Sequence, residues 1–168
     1  MDVYLYSIPG EEFIEITKYP IELLREVEHD TDIGILYTRW RYLGSPPHKN
    51  KFRPKSANAA CFRVSSELPL DYVYMSTDEP IQILPMRKFG GAFGSELMQK
   101  QTMDDLLLVK ESCEPLYQQV IHRIGPTEMC FRRILLPVVD GDGRVELIYS
   151  ATRRFGTVDR EFLEVEFA

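Results

Sequence analysis

The chain of 168 residues is 44% apolar and carries nine Tyr, nine Phe and one Trp, with a net charge of −6 at pH 7 and a pI near 5.2. The length suits one domain with a sizeable core, and the aromatic content excludes a disordered polymer. An acidic balance points away from nucleic acid, whose binders displace phosphate counterions with clustered Lys and Arg.

Residues 1–18 alternate apolar and polar side chains in places (Val3, Leu5, Phe13, Ile14, Ile16), and Pro9-Gly10 marks a turn. They are expected to form a loosely attached, strand-like arm. Residues 20–30 suggest a short helix, with Pro20 in its first turn and Ile21, Leu24 and Val27 on one face. The spacing predicts a clearer helix over 32–43. Ile33, Leu36, Tyr37, Trp40 and Leu43 fall on one stripe, Thr31 or Asp32 can cap the start, and Gly44 with Pro46-Pro47 ends it. Such a stripe must be buried against something.

Residues 45–57 read as a basic loop with Lys49, Lys51, Arg53 and Lys55, either a solvated crossing or an anion patch. Residues 59–66 and 70–77 alternate as a pair of antiparallel strands, with Tyr72 and Tyr74 on one face of the second. Residues 78–105 are broken by Pro80, Pro85, Gly90, Gly91 and Gly94, so short helical turns and loops are expected, without a dinucleotide or phosphate-loop pattern. A second helix is expected over 106–124. Thr102 and Asp105 form its capping box, and Val109, Cys113, Leu116, Tyr117, Val120, Ile121 and Ile124 its apolar face.

Residues 127–155 then read as two long strands joined by the turn Asp140-Gly141-Asp142-Gly143, since Asp-Gly is a strong hairpin signal. The tail 156–168 is acidic and could be an edge strand, a short helix or a partner-binding arm.

Helices interrupting strands as one block give an α+β pattern. Three stretches carry a family resemblance. They are Tyr37-Thr38-Arg39-Trp40-Arg41-Tyr42-Leu43, the pair Phe93-Gly94 after Phe89-Gly90, and Arg133-Ile134-Leu135-Leu136-Pro137 followed by a Gly-rich turn and Arg144-Val145-Glu146-Leu147-Ile148. On these the chain resembles the PAS sensory domains, in particular single-domain bacterial proteins of the alphaproteobacterial type, over roughly residues 32–154. One departure is Glu96-Leu97-Met98-Gln99, where such proteins often show Asp-Leu-Thr-Gly after Phe-Gly. The resemblance implies a five-stranded antiparallel sheet with helices on one face and an N-terminal helix. It also implies a small molecule held between sheet and helices, or a dimerisation role. The organisation then reads as an N-terminal arm and short helix (1–31), a PAS-like domain (32–155) and an acidic tail (156–168).

No catalytic constellation stands out. His29, His48 and His122 are scattered, so no metal or haem set converges, and His122 is expected to be solvated on the back of its helix. Cys61, Cys113 and Cys130 are far apart and odd in number, which fits reduced core thiols, not a disulfide framework. Asp104 and Asp105 are adjacent and diverge on a helix. Asp140 and Asp142 read as turn residues. Arg132 and Arg133 sit before the apolar run Ile134-Leu135-Leu136, so at least one points to an apolar face. A buried arginine needs either a helix carboxylate, such as Glu111 or Glu114, or an anionic ligand.

The expectation is therefore a non-catalytic sensory or ligand-binding module. Its pocket candidates are Tyr72, Tyr74, Tyr117, Arg132, Arg133 and Tyr149, and no cofactor is assigned. A homodimer through Leu36, Tyr37 and Trp40 and a signalling protein partner are expected. So is a cytoplasmic location, because no signal peptide or membrane span is read in the sequence. The alternatives are a ligand-free protein-interaction module, or a small α+β enzyme, which would need an acid–base pair in a cavity.

Overall fold

The computed structural model describes residues 1–54, 59–76, 87–88 and 95–159. Its strands are β1 (Asp2–Ile8), β2 (Glu12–Tyr19), β3 (Ala59–Arg63), β4 (Val73–Ser76), β5 (Arg87–Lys88), β6 (Leu116–Ile124), β7 (Thr127–Val139) and β8 (Val145–Asp159). The helices are α1 (Leu24–Val27), α2 (Asp32–Leu43) and α3 (Glu96–Ser112). All strands join one antiparallel sheet in the order β1-β2-β6-β7-β8-β3-β4-β5, of which β5 is a two-residue edge segment. The fold is thus α+β. Two expectations change: the sheet is wider than five strands, and the chain starts with strands, not a helix.

The long hairpin forms as read. β7 and β8 pair from Thr127↔Asp159 to Val139↔Val145, and Asp140 closes the turn by accepting from the Asp142 and Arg144 amides at 2.8 and 3.0 Å. Gly143 sits at φ 77°, a left-handed conformation that glycine adopts without steric cost. β8 carries the tail's first residues as far as Asp159, and residues 160–168 lie outside the described set.

Residues 1–19 are a regular hairpin and not a loose arm. β2 pairs with β6 over Glu12↔Ile124 to Tyr19↔Tyr117, and Ile14 and Ile16 are buried, while Glu15 between them is less so. That period of two is the signature of a strand with one covered face. The 20–30 helix splits into a single 3-10 turn over Ile21–Leu23 and the one-turn α1, where Leu24 is buried and Val27 exposed.

The predicted helix over 106–124 is corrected. α3 begins at Ser95, whose hydroxyl accepts from the Met98 amide, and closes at Cys113 in the left-handed conformation. Thr102 is therefore a buried mid-helix residue, not a cap. Pro115 separates the helix from β6, where Gln118, Val120 and His122 share a buried face. β-branched and aromatic residues (Tyr117, Val120, Ile121, Ile124) favour a strand there, and pairing to both β2 and β7 outweighs the helical spacing. The expected absence of a long element over 78–105 also fails from residue 96 onward. The Phe-Gly pairs at 89–90 and 93–94 lie outside the described residues.

The helices lie on both faces of the sheet, not on one. α2 packs Ile33, Leu36, Tyr37 and Trp40 on Tyr117, Ile134, Leu136 and Tyr149. α3 packs Leu106 and Val109 on the other face, against Phe62, Leu135, Val145 and Ile148. β7 is the central strand and is buried without interruption from Arg133 to Val138. A continuous apolar run is what a strand covered on both faces requires. The α2 stripe is thus spent on the chain's own sheet: Leu36, Tyr37 and Trp40 are 5%, 7% and 3% exposed, and Trp40 Nε1–H donates to the Pro137 carbonyl at 2.7 Å.

Gly34 lets α2 turn tightly over α1. A Cβ there would lie 1.9 Å from the Glu28 carbonyl oxygen, a backbone atom that cannot swing aside. Gly34→Ala is expected to destabilise the fold by about 2–3 kcal/mol through overpacking, read as a lowered unfolding midpoint in urea.

Candidate functional site

On the α3 side a cleft of about 1190 Å³ opens between helix and sheet. Its lining includes Phe62 and Tyr74 from β3 and β4, Phe131 and Arg133 from β7, and Thr152 and Arg154 from β8. α3 contributes Ser95, Met98 and Thr102, one turn apart along one side of the helix, and β6 contributes His122. Asp30 and Asp32, beside the start of α2, line another part of the rim.

Arg133 lies between the helix and the sheet and is 6% exposed. Its Nη2 donates to Asp105 at 2.5 Å and Gln101 at 2.7 Å, and its Nη1 to Thr102 at 3.3 Å. Asp105 also accepts from the Gln118 amide at 2.6 Å and stands 3.8 Å from Lys18 Nζ, so two cations share one carboxylate. The sequence asked for a carboxylate or an anionic ligand. A helix carboxylate answers, but it is Asp105 and not Glu111 or Glu114. With α3 running over Glu96–Ser112, Asp105 joins Thr102 and Val109 on the buried side, whereas Glu111 and Glu114 are exposed. Asp104 points away, as adjacent helical residues must, and accepts from the Tyr6 hydroxyl at 3.0 Å. Among the described residues, Arg133 Nε and Gln118 Oε1 are buried without a hydrogen-bond partner.

A second polar group closes the N-terminal end of α3. His122 Nε2 and the Ser95 hydroxyl both reach Glu12 Oε1, the former at 2.5 Å. This corrects the expectation of a solvated His122, which is 6% exposed. Both side chains converge on one carboxylate oxygen, so the carboxylate occupies the position that the base would take in a serine–histidine pair.

The opposite face holds a matching cluster. Glu28 is fully buried and accepts from Tyr117 and Thr31 hydroxyls at 2.7 Å each, with Arg132 Nη1 at 3.4 Å and Arg153 Nε at 3.5 Å. Arg132 and Arg153 flank the Phe155 ring, 4.8 and 4.6 Å from its centre. Burial, the hydrogen bond to Glu28 and its charge all hold the Tyr117 hydroxyl protonated well above the usual tyrosine range.

Of the six expected pocket residues, Tyr74 and Arg133 line the cleft. Tyr72 is buried in the α3-side core with Lys110 over its ring. Tyr117, Tyr149 and Arg132 belong to the α2 side. Residues that the sequence reading passed over are Ser95, Thr152 and Arg154, while Thr102 and Asp105, expected as a capping box, are buried mid-helix residues of the site. Only the assignment of 116–124 as a strand puts His122 on the same face as Gln118 and Val120.

Burial pushes the Cys61 thiol up to about 12, against a smaller lowering by its hydrogen bond to Tyr149, and also raises Cys113 and Cys130. None of the three is poised as a thiolate at neutral pH. The same shift has a stability consequence. Cys61 binds its proton more tightly folded than unfolded, so its contribution is complete below pH 9 and is lost as pH rises from about 9 toward 12. Urea unfolding is expected to show lower stability at about pH 10.5 than at pH 8, with Cys61 supplying on the order of 2 kcal/mol of the loss, and Cys61→Ala to flatten the decline by that share.

Among the described residues no group of His, Cys, Asp and Glu could hold a metal ion, and no helix is long and apolar enough to cross a membrane. No protein-family model, curated protein or solved structure matches the chain.

Proposed function

We propose that the chain is a non-catalytic sensory module of the PAS type that takes a small molecule in the cleft between its sheet and α3. The observation that carries this reading is the cleft, whose volume of about 1190 Å³ is ample for a small molecule and whose lining combines aromatic and aliphatic side chains with polar and charged ones. Support comes from the sheet as well. Five adjacent strands, β6-β7-β8-β3-β4, form an antiparallel block, and α3 lies between β4 and β6 in sequence and over one face of that block. Thiols held protonated at neutral pH favour binding over nucleophilic chemistry. No cofactor is assigned. A signalling protein partner, a cytoplasmic location and a homodimer belong to the proposal. With the α2 stripe covered by the sheet, a dimer contact through this helix would use its outward side, where Ile35 and Tyr42 are exposed.

Native mass spectrometry with an absorption spectrum on freshly purified protein tests the reading. A co-purified small mass, or a chromophore, is expected. A bare protein that also gains no thermal stability from a small-molecule library would sink it.

One observation favours the alternative of a ligand-free interaction module. Among the described residues β1 has a single sheet neighbour, β2, and it exposes Val3, Tyr4 and Leu5 along a strand without lysine or proline. Unprotected edges of this kind invite another strand. Capture of an extended peptide by β1, with the cleft still empty, is the result that would select this reading.

A further inference from the structure

We infer that the cleft takes an organic anion, a monocarboxylate with an apolar body, with its charged end toward Arg154 and Arg133. This deepens the ligand-binding reading and rests on it. The argument starts from register. Phe131 pairs with Arg154 and Arg133 with Thr152 across β7 and β8. Alternate residues of a strand share a face, so Phe131, Arg133, Thr152 and Arg154 form one continuous patch of the cleft floor. The two arginines are diagonal neighbours on that patch, a separation that long side chains span.

Charge balance gives the patch its sign. Asp105 is shared by Arg133 and Lys18, which leaves that cluster one positive charge in excess. Glu12, on the same face and held by His122 and Ser95, offsets that charge, and the exposed Arg154 leaves these described groups with one positive charge in excess. This local surplus sits in a chain of net charge −6, so it is not a general property of the surface. The buried Arg133 Nε–H also lacks an acceptor among the described residues, and a buried donor without one is costly.

The remaining lining sets the rest of the ligand. Phe131 offers an apolar surface beside Arg154, and Met129 and Ile124, neither fully buried, extend the apolar lining. A wholly polar anion such as phosphate would leave that surface without a partner. An amphiphilic acid meets both conditions.

The test is isothermal titration of the full chain, stripped of any co-purified molecule, with straight-chain and phenyl-substituted monocarboxylic acids and their matched primary amides. The acids are expected to bind at least about tenfold more tightly than the amides, the equivalent of one charge-assisted hydrogen bond. The preference is expected to shrink in high salt. Arg154→Ala is expected to remove most of it while leaving the unfolding midpoint unchanged, because Arg154 is exposed. Acids and amides binding equally, or an acid preference that survives Arg154→Ala, would overturn the inference and leave the cleft reading standing. Binding by neither series, together with a bare protein in native mass spectrometry, would overturn both.

Discussion

Asp105→Ala is expected to cost about 4–5 kcal/mol of folding free energy, a large share of the whole stability of an ordinary domain. The reason is the side chain left behind. Arg133 is 6% exposed and lies between α3 and the central strand, so it cannot turn its charge to water. Removing Asp105 also strips acceptors from the Gln101 and Gln118 amides, and the Oε1 of buried Gln118 has no partner among the described residues. Asp105→Asn keeps a hydrogen-bonding oxygen and loses the charge, so it is expected to be intermediate. The double variant Asp105→Leu/Arg133→Met removes both buried charges and is expected to recover most of the loss, since well-packed apolar pairs often equal buried ion pairs in stability. Urea unfolding of the four proteins checks this. A double variant as unstable as Asp105→Ala would show that packing around α3, and not the unpaired arginine, sets the cost.

On the other face, Glu28→Ala is expected to cost about 3–4 kcal/mol, less than its counterpart. Glu28 is the more buried acid, and it holds Tyr117, Thr31, Arg132 and Arg153 together. The difference lies in its partners. The Arg132 and Arg153 side chains are 22% and 37% exposed and can re-solvate once the carboxylate is gone, whereas the Arg133 side chain at 7% cannot. The Tyr117 hydroxyl then becomes the group stranded in the core. Tyr117→Phe in the Glu28→Ala background is expected to restore about 1 kcal/mol by removing that stranded group. If the two acids cost the same, exposure of the arginine partners does not govern the energetics.

These two clusters also show where sequence reasoning runs out. Arg132 and Arg133 were singled out because neighbours on a strand face opposite ways and the following run is apolar. The structure carries that further, with one arginine serving each face. The acid that answers Arg133 was out of reach of the sequence. Asp105 and Glu111 look alike as letters, and only a helix ending at Ser112 puts the first inside and the second in water. The site at the N-terminal end of α3 was equally hidden, because Glu12 and His122 are 110 residues apart and meet through pairing of β2 with β6.

The misreading of 106–124 has a physical source. Tyr117, Val120, Ile121 and Ile124 fit a helical stripe and a two-faced strand equally well, since a strand covered on both sides loses its alternation. Neighbouring strands decided between them. The same two-sided cover explains why β7 reads as an unbroken apolar run, and why the expectation of helices on one face failed.

By itself the sequence determined the elements whose signals are local. α2 follows from a stripe, a threonine cap and a terminal glycine within a dozen residues, and the β7–β8 hairpin from two apolar arms around an Asp-Gly turn. The tertiary structure alone decided the width of the sheet, the identity of the buried acids and the existence of the cleft. Those depend on contacts between residues far apart in the chain, and no local propensity encodes which strand edge or which carboxylate will be the one within reach.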